Sequence, residues 1–142
     1  MPVGLGVDGA ASNEAASMWE ELRHAVLFAR ARGGPQALGM RDALDLGTRG
    51  GARVLGREAE IGQVAVGFQA DLAVWDLSGL GHVDVADPVA ALVLGSQPPL
   101  RLLLVGGEAV VSDGSLTTVD AEAVAAEVAA SSRALLERAG VA

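Results

Sequence analysis

The stretch Gly6-Val7-Asp8-Gly9-Ala10-Ala11-Ser12-Asn13 decides the predicted fold of this 142-residue chain. An apolar run from Val3 to Val7 ends at one carboxylate, Asp8, and small residues follow it before helical periodicity begins. This pattern is typical of a buried parallel strand that delivers a catalytic side chain to the rim of an α/β barrel. We therefore expect a strand over residues 3–7. The alternative is that Asp8 only satisfies backbone amides at a turn.

Composition excludes several classes of function. The formal net charge is -8 and all ten basic residues are Arg, so no basic patch is expected and nucleic acid is not a predicted partner. The chain has no Cys, which excludes disulfides and thiolate metal sites. Neither a targeting segment nor an apolar stretch long enough for a bilayer is found, so we expect a cytoplasmic protein without membrane partners.

Periodicity and turn signals predict helices that alternate with short strands. A first helix, capped by Ser17 or one turn earlier, should end near Gly33-Gly34-Pro35. The other expected elements are helices over 41–55, 87–94 and 120–139 and strands over 71–77, 101–105 and 108–112, with a tight turn at Gly106-Gly107. The second helix contains Gly47, Gly50 and Gly51 and should persist only where something packs closely on its backbone.

The opening motif, extended through Met18-Trp19-Glu20-Glu21-Leu22-Arg23, resembles the last metal-ligand motif of the amidohydrolase superfamily, in its deaminase and chlorohydrolase branch. Three later segments are also similar to that superfamily. Gly67–Leu72 resembles a Gly-x-x-Ala-Asp-Leu segment of its β-sandwich, in which Asp71 would fix the start of a strand. Leu104–Val110 resembles a late hairpin of the sandwich, and Asp87–Val93 is close to a segment of the 8-oxoguanine deaminase group.

The resemblance implies an α/β fold class. The chain would be the C-terminal part of a (β/α)8 metal-dependent hydrolase barrel, with strands of the accessory β-sandwich and a terminal helix. The implied boundaries are 1–56 for the last barrel strand and helices, 57–118 for part of the sandwich, and 119–142 for the C-terminal helix. The chain would then be a truncated gene product, the product of an internal start or a fragment of a longer enzyme.

The resemblance also implies roles for three residues. Asp8 would bind a divalent metal ion, zinc or else iron, and would move protons between the hydrolytic water and the leaving ammonia. Ser12 and Asn13 would shape the mouth of the site or support it. The remaining ligands of the family are upstream histidines that this chain lacks, and a catalytic zinc ion needs three protein ligands. We therefore expect this chain alone to be inactive and not to retain the metal.

The implied activity is hydrolytic deamination of a purine resembling 8-oxoguanine, or of a triazine, so the expected partner is a small heterocycle. S-adenosylhomocysteine or methylthioadenosine deaminases and chlorohydrolases are alternatives in the same branch. Outside that class, the chain could be a non-catalytic association module or one half of a split enzyme. Elements without their barrel neighbours should expose apolar surface or pair it between chains, so a homo-oligomer is expected.

Two further signals carry little weight. Gly4-Leu5-Gly6-Val7-Asp8-Gly9 matches the dinucleotide-binding pattern G-x-G-x-x-G, but only three residues precede it and no helix signal follows at once. His24 lies within the first helix and His82 lies in a Gly-rich loop, without metal-ligand spacing between them. Both histidines are therefore expected to be structural.

Overall fold

The computed structural model describes residues 1–141, and its helices and strands follow the predicted order. The first long helix is α1, and the second is a continuous helical stretch made of α2, a π-helical segment and α3. A four-stranded antiparallel sheet and two further helices complete the described chain. The bounds are α1 Met18–Gly33, α2 Met40–Asp45, the π-segment Leu46–Gly50, α3 Gly51–Val54, β1 Leu72–Trp75, α4 Pro88–Leu94, β2 Leu100–Val105, β3 Glu108–Ser112, β4 Ser115–Leu116 and α5 Ala121–Ala139.

The ends of α1 match the signals in the sequence. Ser17 Oγ accepts a hydrogen bond from Glu20 N at 3.3 Å, which satisfies one of the free amides of the first turn. At the other end Gly34 has φ +83 and ψ 176, a positive-φ conformation that glycine adopts without a steric penalty. The predicted start at Ser17 and the predicted stop near Gly33 are both confirmed.

The core lies between α1, α2 and α4. Leu22, Val26, Ala43 and Val93 are buried together there. Side chains of α1 also satisfy carbonyl groups at the end of α4. Trp19 Nε1 donates to Leu92 O at 2.5 Å, and Arg23 Nη1 donates to Leu94 O at 3.0 Å and to Gly95 O at 2.7 Å. These bonds fix α4 on α1 because helix-end carbonyls otherwise lack partners.

The glycines of the second helical stretch make close contacts, as the sequence predicted. A Cβ atom at Gly47 would lie 2.8 Å from Leu22 Cδ2, and one at Gly50 would lie 2.7 Å from Val3 O. Neither separation leaves room for a methyl group. The chain therefore crosses this helix at a distance that only glycine permits, and the helix is π-wound at that point.

The sheet has the strand order β1-β2-β3-β4. Gly106 and Gly107 have φ values of +59 and +88 and form the tight turn between β2 and β3, as predicted. Asp71 Oδ1 accepts a hydrogen bond from Gly106 N at 2.7 Å, which ties the start of β1 to that turn. The structural role expected for Asp71 is therefore confirmed.

The predicted strand over residues 3–7 does not form. A strand needs ladder bonds to a neighbouring strand, and here the segment bonds instead to the helical stretch, from Leu5 N to Leu46 O at 3.2 Å. The segment instead lies against Gly50 and Gly51. The α/β class of the fold is observed, but the barrel strand expected before Asp8 is not.

The last helix, α5, is exposed along its whole length. The Asp120 side chain caps it by accepting hydrogen bonds from Glu122 N at 3.0 Å and Ala123 N at 3.1 Å. No residue of α5 is buried, and its apolar stripe faces solvent through Val124, Val128, Leu135 and Leu136. Over residues 1–141, every helix is too short or too polar to cross a membrane.

Candidate functional site

Asp8 lies at an exposed turn between the segment Val3–Val7 and the loop that leads to α1. Its φ is +62, a conformation that Asp tolerates better than most residues because its short side chain bonds locally. Asp8 Oδ1 accepts a hydrogen bond from Gly9 N at 2.7 Å. This contact matches the turn-forming role that the sequence left open, and it leaves the carboxylate at the surface.

The loop over residues 9–16 is folded onto itself. Ser12 N and Asn13 N both donate to Gly9 O, at 2.8 Å and 3.0 Å, and Ala16 N donates to Asn13 O at 3.2 Å. Ser12 is exposed, whereas Asn13 is half-buried and its Nδ2 donates to Glu21 Oε1 at 2.9 Å. The structure thus places the three predicted site residues on one continuous turn.

The described residues do not form a metal centre by themselves. A catalytic zinc site uses three protein ligands and keeps a fourth position open. Across residues 1–141, no three side chains of His, Cys, Asp or Glu come together in a way that could hold an ion. Asp8 is therefore at most one ligand, and the donor set present here does not fit a catalytic metal ion.

Both histidines lie in structural environments, as expected. The ring of His24 stacks on Phe28 with centroids 5.5 Å apart, on the outer face of α1. His82 is only 6% exposed, and its Nε2 lies 2.7 Å from Ser96 O. That contact fastens the loop after β1 to the segment after α4.

The dinucleotide-binding pattern has the wrong surroundings. Helix α1 begins at Met18, nine residues after Gly9, so no helix N-terminus faces the glycines. Gly4 instead allows a close approach to Gly51, whose Cα would lie 2.9 Å from a Cβ atom at Gly4. Gly4 therefore serves packing between backbones, whereas a Cβ atom at Gly6 or Gly9 would meet nothing within 4 Å.

Reasoning from the sequence missed a charged cluster on the second helical stretch. Asp45 pairs with Arg53 at 2.8 Å and also with Arg49. The Arg53 and Arg49 guanidinium groups hold the pKa of the Asp45 carboxyl below its ordinary value of 3.8. The i,i+4 spacing of Asp45 and Arg49 was the available signal.

The known proteins that this chain resembles are amidohydrolases and deaminases. The profile of the Amidohydrolase family matches residues 1–116. The 8-oxoguanine deaminase of Pseudomonas aeruginosa is 42% identical over 135 residues, which are 95% of this chain and 30% of that protein. An isoxanthopterin deaminase from an unknown prokaryotic organism is 37% identical over 152 residues, covering 96% of this chain and 31% of that enzyme. The chain thus spans about 30% of the length of these curated relatives.

Solved structures that superpose on this chain also include amidohydrolases and deaminases. An amidohydrolase from a Sargasso Sea sample superposes with a TM-score of 0.84 and 38% identity, covering 99% of this chain and 32% of that chain. An adenosine deaminase from Xanthomonas campestris with bound zinc gives a TM-score of 0.83 and 31% identity, covering 89% of this chain and 29% of that chain. Because the profile match extends over most of the sequence and the structural match over nearly all of it, this chain belongs to the amidohydrolase family.

Proposed function

We propose that this chain is the C-terminal portion of a metal-dependent deaminase that hydrolyses a C–N bond of a purine-like ring. The observation that carries the proposal is the similarity to the Pseudomonas aeruginosa 8-oxoguanine deaminase, which extends over nearly the whole chain. Similarity to a triazine hydrolase makes a triazine ring the second candidate substrate. A relative named as an isoxanthopterin deaminase also acts on a fused heterocycle, which supports this class of substrate.

In this proposal Asp8 is the catalytic carboxylate. A divalent metal ion, zinc in our proposal, would acidify the hydrolytic water. Asp8 would accept the proton of that water and return it to the departing nitrogen. Its exposed carboxylate is accessible to the water and to the leaving group. The histidines that complete the metal site would come from sequence outside this chain, in the same polypeptide or in a second one. Ser12 and Asn13 would support the mouth of the site.

We keep the domain boundaries that the resemblance implies, and note that α4, within 57–118, packs on α1 and α2. Residues 1–56 hold the segment that carries Asp8 and the glycine-rich helix that contacts it. The unit over 57–118 contains the antiparallel sheet, which we assign to an accessory sandwich, and the unit proposed from residue 119 onward contains the exposed helix α5, Ala121–Ala139. The apolar stripe of that helix supports association with another part of the enzyme or with a second copy.

A chimera tests the proposed function directly. This chain would replace the matching segment of the Pseudomonas aeruginosa enzyme, and release of ammonia from 8-oxoguanine would be measured. The test variant is Asp8→Asn. The matched control is Asp84→Asn, because Asp84 is also an exposed Asp with φ +62 and lies outside the proposed site.

The expected result is an active chimera that loses at least about 100-fold in kcat with Asp8→Asn, the lower end of the usual contribution of a positioned acid or base. The Asp84→Asn control should retain its activity. A folded, zinc-loaded chimera that deaminates equally well with and without Asp8 would refute the assignment. A folded, zinc-loaded chimera that is inactive on 8-oxoguanine but active on a triazine would transfer the proposal to the second substrate.

A further inference from the structure

Glu21 reaches the loop behind Asp8 from the first turn of α1. Its Oε1 accepts a hydrogen bond from Asn13 Nδ2 at 2.9 Å, and the two residues are eight positions apart in sequence. An ionised carboxylate can only accept hydrogen bonds, so this contact determines which end of the Asn13 amide faces the helix. Both side chains are half-buried, which shelters this charge-assisted bond from water.

Asn13 connects Glu21 with the residue next to Asp8. Asn13 N donates to Gly9 O at 3.0 Å, and Gly9 N in turn donates to Asp8 Oδ1 at 2.7 Å. The carbonyl group of Asn13 also accepts the amide of Ala16 at 3.2 Å. A continuous series of hydrogen bonds therefore runs from α1 through Asn13 and Gly9 to the Asp8 carboxylate.

Helix α1 is a firm base for this series. Leu22, the neighbour of Glu21, is buried in the core, and Glu21 N donates to Ser17 O at 3.2 Å within the capped first turn. On the other side of Asp8, the segment over residues 3–7 is joined to the helical stretch by the bond from Leu5 N to Leu46 O. The Asp8 turn is therefore anchored to α1 on one side and, through the backbone contact of Gly4 with Gly51, to the second helical stretch on the other.

We propose that Glu21 is a positioning residue, which acts through Asn13 to hold the turn at Asp8 in one conformation. The inference rests on the role proposed above for Asp8. A catalytic carboxylate must be held to within a fraction of an ångström of its productive geometry, and residues behind it supply that restraint. Glu21 does not touch the reacting atoms; it limits where the Asp8 turn can move.

The test uses the full chain and nuclear magnetic resonance. Glu21→Ala removes the acceptor, Glu21→Gln keeps an oxygen acceptor, and Asn13→Ala removes the same bond from the loop side. Glu20→Ala is the matched control, because Glu20 is the other acidic residue of the first turn and has the same favourable interaction with the helix dipole. Two quantities are measured: the side-chain amide resonances of Asn13, and the backbone hydrogen-exchange rates of Ser12 and Asn13.

With Glu21→Ala, the Asn13 side-chain resonances should move to values of a free amide, and exchange of the two backbone amides should accelerate about tenfold. Asn13→Ala should accelerate the exchange of Ser12 to the same extent. Glu21→Gln should restore slow exchange, and Glu20→Ala should leave both observables unchanged. Equal effects of Glu21→Ala and Glu20→Ala, or slow exchange retained in Glu21→Ala and Asn13→Ala, would overturn the proposal.

Introduced into the chimera, Glu21→Ala should lower kcat about tenfold with little change in KM, and Glu21→Gln should recover most of the loss. An active, Asp8-dependent chimera in which Glu21→Ala behaves like Glu20→Ala would show that the anchor has no catalytic consequence. If Asp8→Asn leaves the chimera active, the proposed function fails, and the exchange rates still decide whether Glu21 anchors the turn. The two failures are thereby distinguished.

Discussion

Replacing Gly50 with alanine is expected to weaken the contact between the segment that carries Asp8 and the glycine-rich helix. The added Cβ atom would lie 2.7 Å from Val3 O and 3.1 Å from Asp45 O. Both neighbours are backbone oxygens, so neither can rotate away as a side chain would. Either the segment over residues 3–7 must move or the helix must bend.

The magnitude follows from two opposing effects. Alanine is favoured over glycine in a helix by about 1 kcal/mol. Overpacking against fixed atoms costs about 1–3 kcal/mol, and two contacts with backbone oxygens place Gly50→Ala near the upper end. The net loss is then about 2 kcal/mol, which corresponds to a fall in Tm of roughly 6 °C for a chain of this size.

Gly51→Ala is the matched control for this substitution. Apart from the backbone of its own helical turn, no atom lies within 4 Å of a Cβ atom built at Gly51, so only the helix-propensity gain remains. The control should therefore be more stable than the natural sequence by up to about 1 kcal/mol. Neighbouring positions on one helical stretch are thus expected to respond with opposite signs.

Thermal unfolding followed by circular dichroism measures both variants, and hydrogen exchange at Leu5 reports on the segment. If the segment over residues 3–7 moves away, Leu5 loses its 3.2 Å bond to Leu46 O and its amide exchanges faster. The overlap is then relieved, so the fall in Tm is smaller than the roughly 6 °C expected when the segment stays in place. The reasoning is refuted if Gly50→Ala is as stable as Gly51→Ala and Leu5 remains equally protected.

Four other outcomes are expected. Asp120→Ala should lower the stability of helix α5 itself by about 1 kcal/mol and reduce helicity at 222 nm, whereas Asp120→Asn retains an acceptor for the cap and should change little. Truncation after Thr118 should lower the Tm of the remainder by less than about 2 °C, because no residue of α5 is buried. Acid should destabilise the chain below pH 3.8 partly through Asp45. The ionised Asp45 carboxylate stabilises the fold fully above its ordinary pKa of 3.8, and this stabilisation is lost as the pH falls through the lowered pKa of the folded state. Asp45→Asn should flatten this part of the profile. Calorimetric titration of this chain with Zn²⁺ should show no sub-micromolar binding, since Asp8 is at most one ligand.

Contrary results are equally specific. Unchanged helicity in Asp120→Ala would mean that the cap does not stabilise α5. A large fall in Tm on truncation would mean that α5 packs on the sheet in solution. If Asp45→Asn leaves the acid profile unaltered, Asp45 does not contribute to stability at low pH. Sub-micromolar Zn²⁺ binding would reveal a ligand set that residues 1–141 do not show.

The sequence predicted best those features that depend on neighbouring residues. The cap of α1 at Ser17 and the glycine turn between β2 and β3 each require only a few adjacent residues, and both were found where expected. The glycines within the second helix also gave a correct non-local prediction. Their cost in a helix implied a close contact, and Gly50 makes that contact with Val3.

Apart from the local cluster at Asp45, the features that were not predicted depend on tertiary contacts. An apolar run such as residues 3–7 becomes a strand only where other strands supply ladder bonds, and its own side chains cannot indicate whether they do. Glu21 was singled out only as part of a resemblance, since nothing in the sequence indicates that its side chain faces Asn13. Likewise, the periodicity of α5 correctly predicted a helix but could not predict that its apolar stripe would face solvent.

The position of Asp8 is therefore set by the packing of two helices and does not require a strand before it. On one side, the backbone of Val3 lies against Gly50; on the other, Asn13 is held by Glu21 on α1. These two anchors lie on different helical elements, and Leu22 of α1 packs directly on the π-segment, where a Cβ atom at Gly47 would lie 2.8 Å from Leu22 Cδ2. Any change in the separation of α1 from that segment moves one anchor relative to the other. The geometry at Asp8 thus depends on a buried contact, which is stiffer than the exposed turn itself.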